Sequence, residues 1–320
     1  MCASHISGFR LGEFTLYLKG IEEIKFNRFP SATLRGAFGT SLKSTLCIHS
    51  AINANCEKCL IKKTCAYYYL FETGTDLHGE NNPHPFVILL PLELANRTIL
   101  PGEIFSFHLV LFGYGLDYLP HIIYAFENLG KKGLGSRKGK FDLVEVKFVN
   151  QEAEKIIYFE SDKILNNEDQ NYLFEFHNDN GVVNQIKINL LTPLRMKNEG
   201  RLVTEVNFKI FIINLLRRIS KIAEIHCGEE IAIDWPELLK IGEETKVISD
   251  NTYWKEYKRF SIRQKQEMLL GGLLGNFEVQ GKFRELLPYL YLGEIIHVGK
   301  STSFGFGKYQ MQIIKKEESL

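Results

Sequence analysis

The sequence has no excess of either charge: Lys plus Arg number 39 and Asp plus Glu 38, a formal net charge of +1 over 320 residues. That balance excludes a uniformly basic coat, the simplest mark of a nucleic-acid binder, so such a partner must be met by local patches. Long apolar runs are missing too. The most apolar short stretch, Phe86-Val-Ile-Leu-Leu-Pro-Leu92, is broken by proline and far too short to span a membrane. Met1 to Arg10 lacks the apolar run of a signal peptide. A cytoplasmic protein with no membrane partner is expected. Cysteine is sparse, six in all, and in a cytoplasmic chain these are thiols or metal ligands rather than disulfides. What is present, 45% hydrophobic and 24% charged residues, rules out disorder, collagen and coiled coil. The 23 Phe and 14 Tyr suit a large core and stacking surfaces.

Two halves repeat one order of elements. In the first, Phe9 to Leu18 reads as a strand, and a helix runs from Pro30 through Leu46 with Ser31 as N-cap. Phe86 to Leu90 and Ile104 to Phe112 read as strands, Tyr118 to Leu129 as a helix, and Phe141 to Val149 alternates as a closing strand. In the second, Ile186, Ile188 and Leu190 mark a half-buried strand. Thr204 to His226 carries Val206, Ile210, Ile213, Leu216 and Ile219 at helical spacing. Thr252 to Phe260 and Gln266 to Leu270 are paired strands, the second ending at Gly271-Gly272. Lys282 to Leu292 is helical despite Pro288, and Lys308 to Ile314 alternates. The expected fold class is α+β: two tandem ferredoxin-like (RRM-like, βαββαβ) domains with a cysteine-rich insertion in the first. An acidic, Asn-rich stretch over 151–182 sets the boundary, with domains at 1–150 and 151–320.

Both halves place a glycine-rich, basic segment between the second helix and the last strand. The first is Gly130-Lys-Lys-Gly-Leu-Gly-Ser-Arg-Lys-Gly-Lys-Phe141, the second Gly293 through Phe304-Gly-Phe-Gly307 to Lys308 and Tyr309. Glycine permits close backbone approach, and interleaved Lys, Arg and Ser can meet phosphate oxygens beside exposed amides. The alternative is a tight connection with solvated charges. Gly299-Lys300-Ser301 is not a phosphate-binding P-loop, because five residues separate Gly293 from Gly299 and no helix follows. Nor does Gly133-Leu-Gly135 open a dinucleotide fingerprint, since it leads into a strand.

Cys47, Cys56, Cys59 and Cys65 have the spacing C-x8-C-x2-C-x5-C. A C-x2-C pair with two flanking cysteines supplies a tetrahedral thiolate set, so a structural zinc is expected. Such an ion would fold an insertion too small for a core of its own. An iron–sulfur cluster, which also takes four cysteinates, and free thiols stay open as alternatives. Four thiolates leave no open position, so none of these is a catalytic cofactor. Cys2 and Cys227 stand apart.

These residues resemble a family. Leu34-Arg-Gly-Ala-Phe-Gly39, followed by the cysteine cluster and Cys65-Ala-Tyr67, resembles the start of CRISPR-associated RAMP proteins. Thr192-Pro-Leu-Arg195, Arg217-Arg218, Gly271-Gly272-Leu-Leu-Gly275 and Gly293-Glu-Ile-Ile-His-Val-Gly-Lys300 through Gly307 resemble the C-terminal domain of the sixth Cas family. These are the precursor-crRNA-processing endoribonucleases. The resemblance implies binding of CRISPR repeat RNA and metal-independent cleavage of precursor crRNA within each repeat, by 2′-hydroxyl attack on the adjacent phosphate.

That chemistry needs a base, an acid and cations. His49, after the first helix, and His297, beside Lys300 in the second glycine-rich segment, are the catalytic candidates with Lys300, each histidine having a structural alternative. RNA-binding candidates are Lys131, Lys132, Gly133, Gly135, Arg137 and Lys138 in the first loop, and Gly299, Ser301, Gly305, Gly307 and Lys308 in the second. Arg195, Arg217 and Arg218 join them, with a solvated helix face as the alternative for the last pair. Arg35 either supports the fold or contacts the repeat. Tyr67, Tyr68 and Tyr69 either stack on bases or pack against the insertion. Two other functions remain open. One is a non-catalytic crRNA-binding subunit working with CRISPR interference complex subunits. The other is a metal or redox sensor built on the four cysteines.

Overall fold

The structure is a computed structural model that describes residues 6, 8–49, 55–75, 79, 81–150, 154–166, 172–176, 181–228, 230–261 and 266–317. Cys2 and much of the acidic stretch, residues 151–153, 167–171 and 177–180, lie outside the described residues. The chain divides into two compact units, one of Arg10–Leu173 and one of Met1–Phe9 with Phe174–Leu320.

The first unit runs β1 (Leu11–Gly20), β2 (Ile24–Lys25), α1 (Pro30–Leu46), α2 (Ala66–Phe71), β3 (Phe86–Leu89), β4 (Thr98–Ile99), β5 (Ile104–Phe112), α3 (Leu119–Lys132), β6 (Phe141–Val149) and β7 (Glu154–Phe159). Its main sheet is antiparallel, in the order β3-β5-β1-β6-β7. The first four positions are the ferredoxin-like arrangement expected from the alternating patterns. The strand β7 pairs with β6, so the compact unit runs on to Leu173, past the boundary at residue 150. The periods of the two helices supply the core: Leu34, Phe38 and Leu42 of α1 and Ile122, Phe126 and Leu129 of α3 are buried. Phe38 and Phe126 stack with centroids 4.7 Å apart and planes 5° apart. Ser31 is not the N-cap of α1. Pro30 takes the first turn, Phe29 occupies the cap position, and Ser31 Oγ accepts the Leu90 amide at 2.9 Å.

The second unit contains β8 (Val182–Leu194), β9 (Met196–Asn198), β10 (Arg201–Val203), α4 (Phe208–Ile222), α5 (Trp235–Glu244), β11 (Lys246–Asp250), β12 (Tyr253–Ser261), β13 (Gln266–Gln280), α6 (Leu287–Ile296) and β14 (Tyr309–Glu317). Its sheet has the order β11-β13-β8-β14, and β12 pairs with the other end of β13. The second ferredoxin-like strand is thus supplied in two pieces along one edge of β13.

Four sequence expectations shift here. The α4 helix starts at Phe208, not Thr204, because Asn207 Oδ1 accepts the Ile210 amide at 3.0 Å, and it passes into a π turn over Ala223–Cys227. The strand β13 does not end at Gly271-Gly272: those residues pair with Glu256 and Lys255 of β12, and the strand continues to Gln280. The α6 helix begins at Leu287, five residues later than Lys282, so Pro288 lies in its first turn, where the missing proline N–H leaves no helix bond unmade. The α5 helix was not expected, although Asp234-Trp-Pro-Glu237 is a capping signature, and Asp234 Oδ1 accepts the Glu237 amide at 3.1 Å. Among the described residues no helix is long and apolar enough to cross a membrane.

Candidate functional site

In the second unit the glycine-rich segment joins α6 to β14 and is held by the end of β8. The Lys300 amide donates to the Arg195 carbonyl (2.7 Å), the Gly307 amide to the Pro193 carbonyl (3.0 Å) and the Val298 amide to the Gly307 carbonyl (3.0 Å). Thr192 Oγ1 donates to the Gly305 carbonyl at 2.6 Å and accepts the Lys308 amide at 2.8 Å. Two glycines are obligatory. A Cβ on Gly299 would sit 2.4 Å from the Arg195 carbonyl oxygen, and one on Gly307 would sit 1.8 Å from that of Val298, both at positive φ.

The cations in this region face inward more than the sequence suggests. Arg218 is buried; its Nε donates to the carbonyls of Ile296 (3.0 Å) and His297 (3.1 Å), and a terminal nitrogen donates to Ile296 (2.8 Å). Burial draws its pKa down to about 9. Lys308 Nζ donates to the Glu294 carbonyl at 2.8 Å. Both side chains therefore satisfy carbonyls at the C-terminus of α6, where a positive charge also meets the helix dipole. The neighbouring Arg217 is exposed. Arg195 is half-buried and donates to the Gly271 carbonyl at 2.8 Å.

His297 is only 2% exposed, at a φ of 64°. Its Nδ1 lies 3.0 Å from the Phe306 carbonyl oxygen and serves as the donor in the neutral ring. Burial first, then the charges of Lys308 and Arg218, hold its pKa well below the usual imidazole range. A ring enclosed in this way supports the loop. Gly305 and Gly307 are buried as well, which leaves Gly299, Lys300 and Ser301 as the half-buried residues of this segment able to face a phosphate.

The first unit's loop is a tight reversal between α3 and β6. Leu134 and Gly139 exchange amide bonds of 2.9 and 3.0 Å, and the Ser136 amide donates to the Lys25 carbonyl at 3.3 Å. Gly133 ends α3, and Gly135 lies against residue 25. The run without acids in sequence is not without acids in space. Arg137 pairs with Glu23 at 2.5 Å, Lys140 with Glu22 at 3.1 Å, and Lys132 bonds Ser44. Lys131 and Lys138 are exposed. Sequence reasoning missed Glu22 and Glu23 because they arrive from the far end of β1, more than a hundred residues away.

Arg35 is half-buried. A terminal nitrogen donates to His84 Nε2 at 2.8 Å, and its guanidinium lies 5.1 Å over the Phe71 ring. His84 Nδ1 lies 3.1 Å from the Leu70 carbonyl, so Arg35 joins α1 to α2.

The four cysteines, His49, Ile48, Ile61, Lys62, Tyr67 and Tyr68 line one solvent-open recess of ≈ 370 Å³. Each cysteine is half-buried. Burial raises the Cys56 thiol pKa, opposed by nearby Lys43. Their shared lining fits a thiophilic ion in donor chemistry. Among the described residues, however, no three His, Cys, Asp or Glu side chains are drawn together as a ligand group. His49 is exposed at the rim. The tyrosines pack rather than present bare faces. Tyr67 stacks on Phe71 with centroids 5.5 Å apart, Tyr68 Oη donates to Glu57 at 3.0 Å, and Tyr69 lies 5.2 Å from Tyr118.

A family model described as an N-terminal domain (AF_1859_N) matches residues 9–170, and the model of the CRISPR-associated endoribonuclease Cas6 matches residues 188–309. The chain is 26% identical over 288 residues to an uncharacterized protein of Archaeoglobus fulgidus, covering 87% of this chain and 90% of that one. In fold it is similar to a Cas6 product complex (TM-score 0.57, 14% identity, 94% of this chain and 100% of that one). The same protein, from Thermus thermophilus, also matches on its own with a TM-score of 0.53, 14% identity and coverage of 95% and 99%. A partial Cas6-RT-Cas1–Cas2 complex matches with a TM-score of 0.55 and 13% identity, over 98% of this chain and 48% of that one.

Proposed function

The chain belongs to the CRISPR-associated Cas6 family, its first half carrying the AF_1859_N domain and its second the Cas6 endoribonuclease domain, and on that premise we propose that it binds CRISPR repeat RNA and cuts precursor crRNA within each repeat. The observation that carries this reading is the pinned loop of the second unit. Its backbone is locked to β8 while Gly299, Lys300 and Ser301 remain half-exposed, a preorganised meeting point for a phosphate backbone.

In the proposed reaction a ribose 2′-oxygen attacks the adjacent phosphorus and the bond to the 5′-oxygen breaks. The 2′-proton passes to a base, and an acid protonates the leaving 5′-oxygen, so the products are a 2′,3′-cyclic phosphate and a 5′-hydroxyl. The balance requires no metal ion. His49 takes the acid–base role because it is exposed, whereas His297 is enclosed and serves the loop. Lys300 contributes charge to the RNA backbone, and the exposed Lys131, Lys138 and Arg217 extend the RNA contacts. The mature guide would pass to CRISPR interference complex subunits.

The test is cleavage of labelled cognate repeat RNA in excess EDTA. One discrete cut with a cyclic-phosphate end is expected, and His49→Ala should slow it by about 10²- to 10⁴-fold with RNA binding retained. Binding without a cut would overturn the nuclease reading in favour of a crRNA-holding subunit.

A further inference from the structure

The cysteine insertion is the part of the molecule whose folding the RNA chemistry does not account for. Over residues 55–65, all described, no side chain is buried; Cys56, Cys59, Lys62 and Cys65 are half-buried and every other residue is exposed. Leu60 is 97% exposed and Ile48 66%. The segment therefore has no apolar core to offset the entropy of ordering it. It is nevertheless shaped into two single-turn helices, Cys56–Lys58 and Lys62–Thr64, and each is flanked by the cysteines. The Cys59 amide donates to the Cys56 carbonyl at 3.2 Å, and the Lys62 amide to the Cys59 carbonyl at 3.2 Å, so the C-x2-C pair sits on a closed turn. Cys65 caps the start of α2, and Cys47 ends α1. Two ligands thus hang from a folded helix end each, and two from the turn between them.

We propose that Cys47, Cys56, Cys59 and Cys65 bind one tetrahedral zinc ion that replaces the missing core of the insertion. Three of the four half-buried residues of the segment are cysteines, and with Cys47 they already line one recess. The sulfurs are not yet gathered as a ligand group, so loading must draw them to about 2.3 Å from the metal. A coreless turn closes at little packing cost, and metal binding of this kind is itself folding free energy. Thiol protons are released as the four thiolates form. With four sulfurs the shell is closed, and the ion takes no part in RNA chemistry.

The experiment is metal analysis of the full chain purified without chelator, a readout independent of RNA cleavage. About one zinc per chain is expected, released as a mercurial reagent titrates the thiols. The double variant Cys56→Ser/Cys59→Ser should retain less than about a tenth of the zinc, and Cys227→Ser all of it. Trypsin supplies a second measurement on the wild-type chain: Lys58, Lys62 and Lys63 should become cut sites only after chelation. Absence of zinc, iron accompanied by acid-labile sulfide, full zinc in the double variant, or trypsin sensitivity unchanged by chelation would each overturn the proposal. If the double variant fails to fold, thiol titration and proteolysis of the wild-type chain still decide.

Discussion

Replacing His297 by Asn separates a loop-supporting histidine from a reacting one. Asn tolerates the positive φ of this position and keeps a donor for the Phe306 carbonyl, so the backbone path is preserved. In the folded chain His297 stays neutral well below 6.5, the ordinary value of the unfolded ring, because burial and the Lys308 and Arg218 charges oppose protonation. Its stabilising contribution is complete above the unfolded pKa. It is lost as pH falls from there towards the folded pKa, since only the unfolded state then takes up the proton. The loss is about 1.4 kcal/mol per pH unit. Between about pH 7.5 and about pH 5.5 the wild-type chain should therefore lose about 1.4 kcal/mol more stability than His297→Asn, other titrating groups being common to both. Urea unfolding at the two pH values measures the difference. Repeat-RNA cleavage by the variant at neutral pH should remain within about twofold of wild type, since the ring meets no reacting atom. Equal pH dependence in the two proteins would refute the burial argument, and a folded variant that binds but does not cut RNA would refute the structural role.

Gly307→Ala should unfold the second unit's loop. The added methyl falls 1.8 Å from the Val298 carbonyl oxygen at a φ of +74°, and relief by backbone movement breaks the Gly307–Pro193 bond; about 3 kcal/mol or more is expected, read by thermal denaturation. Lys131→Glu combined with Lys138→Glu should weaken repeat-RNA binding and flatten its salt dependence by about 1.4 to 1.8 units of slope, whereas Arg137→Ala, whose charge already pairs with Glu23, should change the slope much less.

Part of the proposed site was legible in advance, and part was not. The glycine-rich segments stood out because a close backbone approach tolerates no side chain, and both lie at the helix-to-strand connections expected. The direction of each charged side chain was invisible. Arg217 and Arg218 are adjacent in sequence, yet one is exposed and the other donates to the carbonyls ending α6. Arg137 loses much of its field to Glu23, and Lys308 turns to the Glu294 carbonyl.

From the sequence alone came what local rules govern: alternation for β5 and β6, the 3.6 period for α3 and α4, and the βαββαβ order of both halves. The spacing of Cys47, Cys56, Cys59 and Cys65 belongs there too, because a C-x2-C pair spans a single turn of chain. Tertiary structure decided the rest. It added β7 to the first sheet, split one strand into β11 and β12, and enclosed His297 among Phe306, Arg218 and Lys308. The physical reason is common to all of these. Strand pairing, burial and the pKa shift that burial brings depend on segments distant in the chain, and a pattern read within one window carries the period of an element but not what will close over it.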